Sequence, residues 1–351
     1  MAISITFATS AVTTPMGQQV YEEEIIARAS QFLGDGARVR RTIVRSLRAP
    51  QAGTTRLPTW LTSRAPTSVR RAVGATMYPG ADVVHRMSFA LPPARVPEVV
   101  TIHDTVAWRF DDESAPEAFA AHELRRAAAV VAPSQYSADD AAEFFGLEHV
   151  HAIPNGVDKR FLDASPLRAD RLRQLGIDGP FVLHAGGASK RKNLEALALA
   201  WTRIARARPD VSLVLAGPEH PRRTALFENL PRTCLVGRVA SSEVPGMVAA
   251  ASVVVVPSLH EGFGLPALEA MAAGVPVVAA RTSSLPEVVG DCGVLVEPTA
   301  DDIAGAVVWA LTRDSTIDRM IRSARARAAE FSWERSAAAH ARLWRSVART
   351  H

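Results

Sequence analysis

Cysteine is nearly absent, with only Cys234 and Cys292 in 351 residues. The two lie in unrelated segments without metal-ligand spacing, which excludes a disulfide framework or a cysteine zinc site; both read as small buried hydrophobes. No apolar run approaches the length that crosses a bilayer, and a mean hydropathy of +0.05 asks for none. The opening AISITFATSAV lacks the basic lead of a secretory signal and alternates like a first strand, so the chain is expected in the cytoplasm. Aromatic residues make up 6% of the chain, too few to interleave with basic ones as a nucleic-acid surface would, and no nucleic-acid motif occurs. An Asp-x-Asp sequence, the kind that holds a metal-bridged diphosphate, is missing too. Internal repeats and low-complexity tracts are likewise absent.

A further absence is local. Between Asp35 and Asp82 there is no Asp, Glu or Lys, while nine arginines occur: Arg38, Arg40, Arg41, Arg45, Arg48, Arg56, Arg64, Arg70 and Arg71. Leu57, Trp60 and Leu61 stand among them. The net charge of +4 is modest, so this is a matter of distribution. Two readings stay open for segment 38–71: a surface lying against an anionic membrane that carries a lipid-linked acceptor, or a solvated insertion of arginine-rich loops.

What is present fits a soluble enzyme. A chain of 351 residues with 48% hydrophobic and 22% charged residues can bury two cores. Short β-like runs alternate with amphipathic helical patterns, which predicts an α/β protein with parallel sheets. Strands are expected at 3–9, 82–85, 98–102, 129–132 and 149–153. A stretch rich in Pro, Asn, Gly and Asp at 154–166 reads as a connection. A second series follows at 180–185, 211–216, 233–236, 252–257, 276–279 and 293–296, and residues 300–349 are helical by pattern. Two Rossmann-like domains follow, 1–160 and 161–331, with a last helix at 332–351. Ligands are expected beyond the carboxyl ends of their strands, in the cleft where the two sheets face each other.

The most informative segment is Ser258-Leu-His-Glu-Gly-Phe-Gly-Leu-Pro-Ala-Leu-Glu269. It follows the buried-strand pattern of four consecutive valines. Gly262 and Gly264 allow close backbone approach or positive φ, and Pro266 suits the first residue of a helix that Gly274 ends. The peptides of Gly264 and Leu265 then offer a phosphate site, flanked by Glu261 and Glu269 as acceptors for hydroxyl pairs. Sugars on both sides of a diphosphate would match that layout. The alternative is structural: Glu261 capping the helix, Glu269 on a solvated face, Phe263 and Leu265 packing beneath. A third reading takes Gly262 to Ala267 as a GxGxxA dinucleotide fingerprint with Glu287 about 20 residues on as ribose acceptor.

These residues resemble the signature of the family-4 retaining glycosyltransferases, which have the GT-B fold. His103-Asp104, Ser134, Ile153-Pro-Asn-Gly-Val-Asp158, the SKRKN run at 189–193, Leu215-Ala-Gly-Pro218, Val236-Gly-Arg-Val239 and Ser284-Leu-Pro-Glu287 occur in that family's order. The resemblance spans nearly the whole chain, strongest from 150 to 300 and weakest from 10 to 80. It implies that the last helix, 332–351, crosses back to complete the first domain, that Glu261 contacts hydroxyls of the transferred sugar and that Glu269 holds the ribose. Arg191 and Lys192 would neutralise the diphosphate, the glycine loop would donate backbone N–H groups, and the loop Gly237-Arg238-Val239 would meet the base. His103 and Asp104 would lie at the transferred sugar. Gly17 is all that remains of a first loop that is often glycine-rich in relatives, and Gly186-Gly187 stands where a Gly-Arg pair is common. Lys190, Arg191 and Lys192 also crowd the start of an expected helix, where only a nearby anion would relieve their conflict with its dipole.

The expected activity is transfer of a hexose, mannose from GDP-mannose being the first choice, to a hydroxyl of a glycan or lipid-linked acceptor. Retention at the anomeric carbon is implied, with no metal and no protein general base, and domain closure is expected to complete the site. An NAD(P)-dependent oxidoreductase and a non-catalytic nucleotide-sugar binder remain as alternatives. Glu261→Ala is expected to abolish transfer and leave the fold intact.

Overall fold

A computed structural model describes residues 3–12, 17–46, 53–57, 65–89, 91–114 and 117–349. Pro15 and Met16 of the first loop, and Arg48, Trp60, Leu61 and Arg64 of the arginine-rich segment, lie outside these residues. The chain divides into two compact units. One comprises Met1–Arg109, Ser114–Gly156 and Trp333–His351; the other, Phe110–Glu113 with Val157–Ser332.

The first unit holds a parallel sheet of β1 (Ser4–Ser10), β2 (Arg38–Ser46), β3 (Thr55–Leu57), β4 (Val83–Arg86), β5 (Glu98–Thr101), β6 (Ala129–Ala132) and β7 (His151–Ala152). Their order is β3-β2-β1-β4-β5-β6-β7, all neighbours parallel, so the winding direction reverses between β1 and β4. β4, β5 and β6 are buried throughout, as strands covered on both faces must be.

Two of these strands correct the reading of the arginine-rich segment as loop. β2 and β3 were hidden because Arg38 and Arg40 alternate with apolar positions in the outer strands of the sheet, where one row of side chains reaches water. Several of the arginines are also tied into the unit: Arg40 Nη1 donates to Pro79 O at 2.7 Å, and Arg41 Nη1 lies 2.7 Å from Glu23 Oε1. Arg70 is fully buried. Its Nε donates to Glu123 Oε1 at 2.8 Å, and Arg86, also fully buried, pairs with Glu123 Oε2 and lies 3.4 Å from Glu98. The expected strand at 149–153 shrinks to β7's two residues.

The last helix, Trp333–Arg349, packs on helix Gly17–Leu33 of the same unit. Its apolar stripe, Trp333, Ala337, Ala341 and Trp344, meets Tyr21, Ile25 and Ala29. A chain of hydrogen bonds crosses this contact. His340 Nδ1 lies 2.8 Å from Ser336 O and so must donate to it, which leaves Nε2 to accept from Tyr21 Oη at 2.9 Å. Thr101 Oγ1 then donates to Tyr21 at 2.9 Å and accepts from His85 Nε2 at 2.8 Å. One backbone carbonyl sets the tautomers of two buried histidines.

The second unit repeats the plan with β8 (Phe181–Ala185), β9 (Ser212–Ala216), β10 (Thr233–Gly237), β11 (Val253–Val256), β12 (Val277–Ala280) and β13 (Val294–Val296). The order is β10-β9-β8-β11-β12-β13, again parallel and reversing between β8 and β11. Its core includes Phe181, Leu183, Val254, Val256, Leu268 and Met271. Cys234 and Cys292 are half-buried thiols, not the buried hydrophobes expected. No helix among the described residues is long and apolar enough to cross a membrane.

Packing is tight where helix Thr67–Met77 crosses the chain at Pro93. A Cβ on Gly74 would stand 2.0 Å from Pro93 O, a backbone atom that cannot yield cheaply. Gly74→Ala is therefore expected to lower the unfolding free energy by about 1–3 kcal/mol despite alanine's better helix propensity. Urea denaturation checks this, and a stabilised variant would contradict it.

Candidate active site

Most candidate residues of the second unit lie on the loops after β8 and β11 or on the helix that follows β11, at the point where the strand order reverses, while Gly237, Arg238 and Val239 lie at the end of β10. After β8 the chain runs through Gly186 and Gly187 into a 3₁₀ turn, Lys190–Lys192, closed by Asn193 at φ 54°. Asn193 Nδ2 fixes that turn by donating to Pro257 O at 3.1 Å and Pro298 O at 2.9 Å. The three cations therefore do not open an α-helix as expected. Helix Leu194–Ala207 starts after them, with acidic Glu195 in its first turn, so the dipole conflict does not arise.

Glu261 holds two of these cations, Arg191 and Lys192. Lys192 Nζ donates to Glu261 Oε1 at 2.6 Å, Ser258 Oγ to the same oxygen at 2.7 Å, and Arg191 Nη1 to Oε2 at 3.1 Å. Lys192 is 7% exposed and Glu261 6%, so the pair is desolvated. Burial pushes the Glu261 carboxyl up, but Lys192 and Arg191 outweigh it and hold the group at about 2. Glu261 is an obligate carboxylate here. Its backbone is equally fixed: Ser283 Oγ accepts from Glu261 N at 2.9 Å, and Ser284 Oγ donates to Glu261 O at 2.8 Å.

An acidic run faces the same turn from the other side. Lys190 Nζ lies 2.7 Å from Asp111 Oδ1, Lys190 N donates to Asp112 Oδ2 at 2.6 Å, and Arg191 Nε donates to Glu113 Oε1 at 2.7 Å. The run Asp111-Asp112-Glu113 was visible in the sequence, yet nothing local tied it to residue 190. Both Lys190 and Arg191 thus already have carboxylate partners.

The helix after the loop runs Leu265–Ala272, one residue earlier than Pro266 suggested, with Gly264 as its N-cap at φ 97°. A Cβ on Gly264 would meet Leu285 Cδ2 at 2.8 Å, so both conformation and space call for glycine. Because Pro266 has no N–H, the free donors at this end are few, and Leu265 N–H is among them. Gly262 and Phe263 are buried, the Phe263 ring against Phe331 at 5.8 Å, so Phe263 has only its backbone to present.

One helical turn on, Glu269 is half-buried and forms no ion pair or side-chain hydrogen bond with another described residue. Burial, with a smaller push from Asp158, raises its carboxyl to about 8. The fold thus sets the two carboxyls around this glycine turn apart, Glu261 held low by its cations and Glu269 pushed up by burial. On the neighbouring strand ends, Gly217 (φ 144°) packs so closely on Gly186 O that a Cβ would stand 2.1 Å from it, and buried Arg223 donates to Gly186 O. Gly187 faces open space, Gly237 has φ 66°, Arg238 is exposed and Val239 half-buried.

In the first unit, His103 follows β5 and packs edge-on to Tyr21, ring centroids 5.0 Å apart. Burial holds it at about 4, so the imidazole is neutral at pH 7, and its Nε2 has no hydrogen-bond partner. Asp104 Oδ1 accepts from Val106 N at 3.2 Å, a turn-closing role beside the one expected of it. Gly17 is the exposed first residue of helix Gly17–Leu33. Sequence reasoning gave no role to Ser258, Ser283, Ser284 or Asn193. The first three were legible only as small polar residues near the signature. The GxGxxA reading loses its context, since Gly262 to Ala267 follow the fourth strand of the unit and Glu287 sits on helix Leu285–Val289, not at a strand end.

Two family models divide the chain between them. "Glycosyltransferase Family 4" matches residues 13–161 and "Glycosyl transferases group 1" residues 170–327. Among curated proteins, O-antigen chain mannosyltransferase B of Escherichia coli is 38% identical over 164 residues, 44% of this chain and 42% of that protein. The MMP alpha-(1->4)-mannosyltransferase of Mycolicibacterium hassiacum is 33% identical over 224 residues, 58% of this chain and 51% of that protein. The chain thus spans about half the length of the curated relatives it matches. Among solved structures, sucrose-phosphate synthase of Thermosynechococcus elongatus superposes with a TM-score of 0.75 at 22% identity, covering 99% of this chain and 100% of that one, a likeness of fold. The chain belongs to the family-4 glycosyltransferases, with the GT-B fold and mannosyltransferases among its relatives.

Proposed function

We propose that the protein transfers a hexose, mannose from GDP-mannose, to a hydroxyl of a glycan or lipid-linked acceptor with retention at the anomeric carbon. The observation that carries this reading is the layout around the turn at Gly264, with Glu261 gripped by Lys192 and Arg191 before it and Glu269, which has no ion pair or side-chain hydrogen bond with another described residue, one helical turn after it. Glu269, half-buried and unpaired, suits ribose hydroxyls, which can donate to it once it ionises. Glu261, ionised and aimed by Lys192 and Ser258, suits hydroxyls of the transferred sugar. Arg191, Lys192 and the amides at the helix start would take up the negative charge that grows on the departing diphosphate, so the reading asks for no metal. The departing phosphate oxygen would itself receive the acceptor proton. Neutral His103, with Nε2 unpartnered, suits a sugar hydroxyl as donor or acceptor. Mannose is favoured over other hexoses because the relatives named above are mannosyltransferases. The cytoplasmic face of a membrane is the proposed place of work, with the arginine-rich segment toward anionic lipid.

The donor is tested by binding. GDP-mannose is expected to bind and be consumed in transfer, whereas stabilisation by NAD alone would overturn the reading. Ribose hydroxyls favour ionised Glu269, so binding below about pH 8 releases a proton. Affinity for GDP-mannose should therefore rise from pH 7 to 8 and flatten above, the slope vanishing in Glu269→Gln. Calorimetry in buffers of differing ionisation enthalpy reads that proton directly; a pH-independent dissociation constant in the wild type would contradict the role.

The buried lysine beneath Glu261 bears on the expectation that Glu261→Ala spares the fold. Replacing the carboxylate takes from buried Lys192 the charged partner at 2.6 Å, so Glu261→Gln should lose transfer and about 3–5 kcal/mol of stability. Adding Lys192→Met should restore most of that stability without restoring transfer. Denaturant titrations of the single and double variants measure both, and equal stability of wild type and Glu261→Gln would contradict the pairing.

A further inference from the structure

The first unit carries a second charged recess, at the end of its sheet opposite to His103. A cavity of about 530 Å³ is lined by Arg71, Arg95 and Arg126, by Thr67 and by the buried carboxylates Glu98 and Glu123. It opens at the amino ends of β5 and β6, since Glu98 begins β5 and Ala127 and Ala128 lead into β6. His103 follows the carboxyl end of β5, roughly 16 Å away at a rise of about 3.3 Å per residue. The cavity is therefore no part of the site described above.

Its charge is unbalanced. The two carboxylates are already used: Glu123 receives Arg70 and Arg86, and Glu98 Oε1 accepts Ala94 N at 2.6 Å and lies 3.4 Å from Arg86 Nε. Two buried glutamates against two buried arginines leave the floor formally neutral. Arg86 Nη2, behind them, has no hydrogen-bond partner. Arg71 is half-buried, Arg95 and Arg126 are exposed, and none of the three forms an ion pair or side-chain hydrogen bond with another described residue. Three guanidinium groups thus surround one concave space whose two lining carboxylates are already matched by Arg70 and Arg86, so the cavity carries a net excess of positive charge.

We propose that this cavity binds a phosphate-bearing anion. Guanidinium forks match phosphate oxygens bidentately, and three of them around one space favour a dianion over a single carboxylate. The volume has room for a phosphate and the group that bears it, either a lipid headgroup or a soluble phosphate compound. Segment 38–71 thereby contributes Arg71 to a shaped pocket and not only to a diffuse basic surface.

The test compares the wild type with Arg71→Gln/Arg95→Gln/Arg126→Gln by calorimetric titration of pyrophosphate at constant ionic strength. Pyrophosphate can also enter the donor site, but equally in both proteins, so the difference between them reports on this cavity. The wild type is expected to bind one more equivalent than the triple variant, and Arg126→Glu alone to weaken that equivalent about tenfold or more. The single exposed substitution keeps the test open if the triple variant does not fold, which circular dichroism checks. Cosedimentation with phosphatidylcholine vesicles containing phosphatidic acid separates the sources. Vesicle binding lost in the variants identifies a lipid headgroup; binding of pyrophosphate alone identifies a soluble phosphate. Variants that match the wild type with both probes overturn the proposal, whether or not GDP-mannose proves to be the donor.

Discussion

The grip of Lys192 and Arg191 on Glu261 is the constraint from which the rest of the site follows. A buried carboxylate survives only with partners, and a buried ammonium likewise, so each side chain fixes the protonation and place of the other. That pairing also binds the loop after β8 to the loop after β11 across the reversal of strand order. Asn193 closes one loop and Ser283 with Ser284 backs the other, so the backbone around the glutamate is as determined as its charge. An incoming diphosphate would therefore meet cations that already have acidic partners, and its affinity would be a difference between two sets of ion pairs, not a sum of new ones.

Much of the second unit was legible in the sequence because its strands are short valine-rich runs between turn residues, and a strand buried on both faces has that appearance. The glycine turn at Gly264 and the helix after it were legible for a similar reason, since only glycine tolerates φ 97° there and proline marks a helix start. β2 was not, because its arginines alternate on an outer strand and mimic a polar loop. The separation of Lys190–Lys192 from the next helix depends on one left-handed residue, Asn193, held by two carbonyls distant in sequence. Pattern cannot see such long-range hydrogen bonds.

The protonation states were the least legible part. Glu261 and Glu269 are the same residue type eight positions apart, yet one is held at about 2 and the other at about 8. The difference lies in whether a cation shares the buried space, and that is a property of the folded chain. In the first unit, too, the hydrogen-bond chain from Ser336 through His340 and Tyr21 to Thr101 joins residues more than three hundred positions apart.

The position of the diphosphate tests the account most directly. A crystal structure with GDP-mannose or its product should place the diphosphate at the amino end of helix Leu265–Ala272, within hydrogen-bond reach of Arg191 or Lys192, with ribose hydroxyls on Glu269. A diphosphate bound elsewhere, with Glu269 still free of the nucleotide, would contradict it.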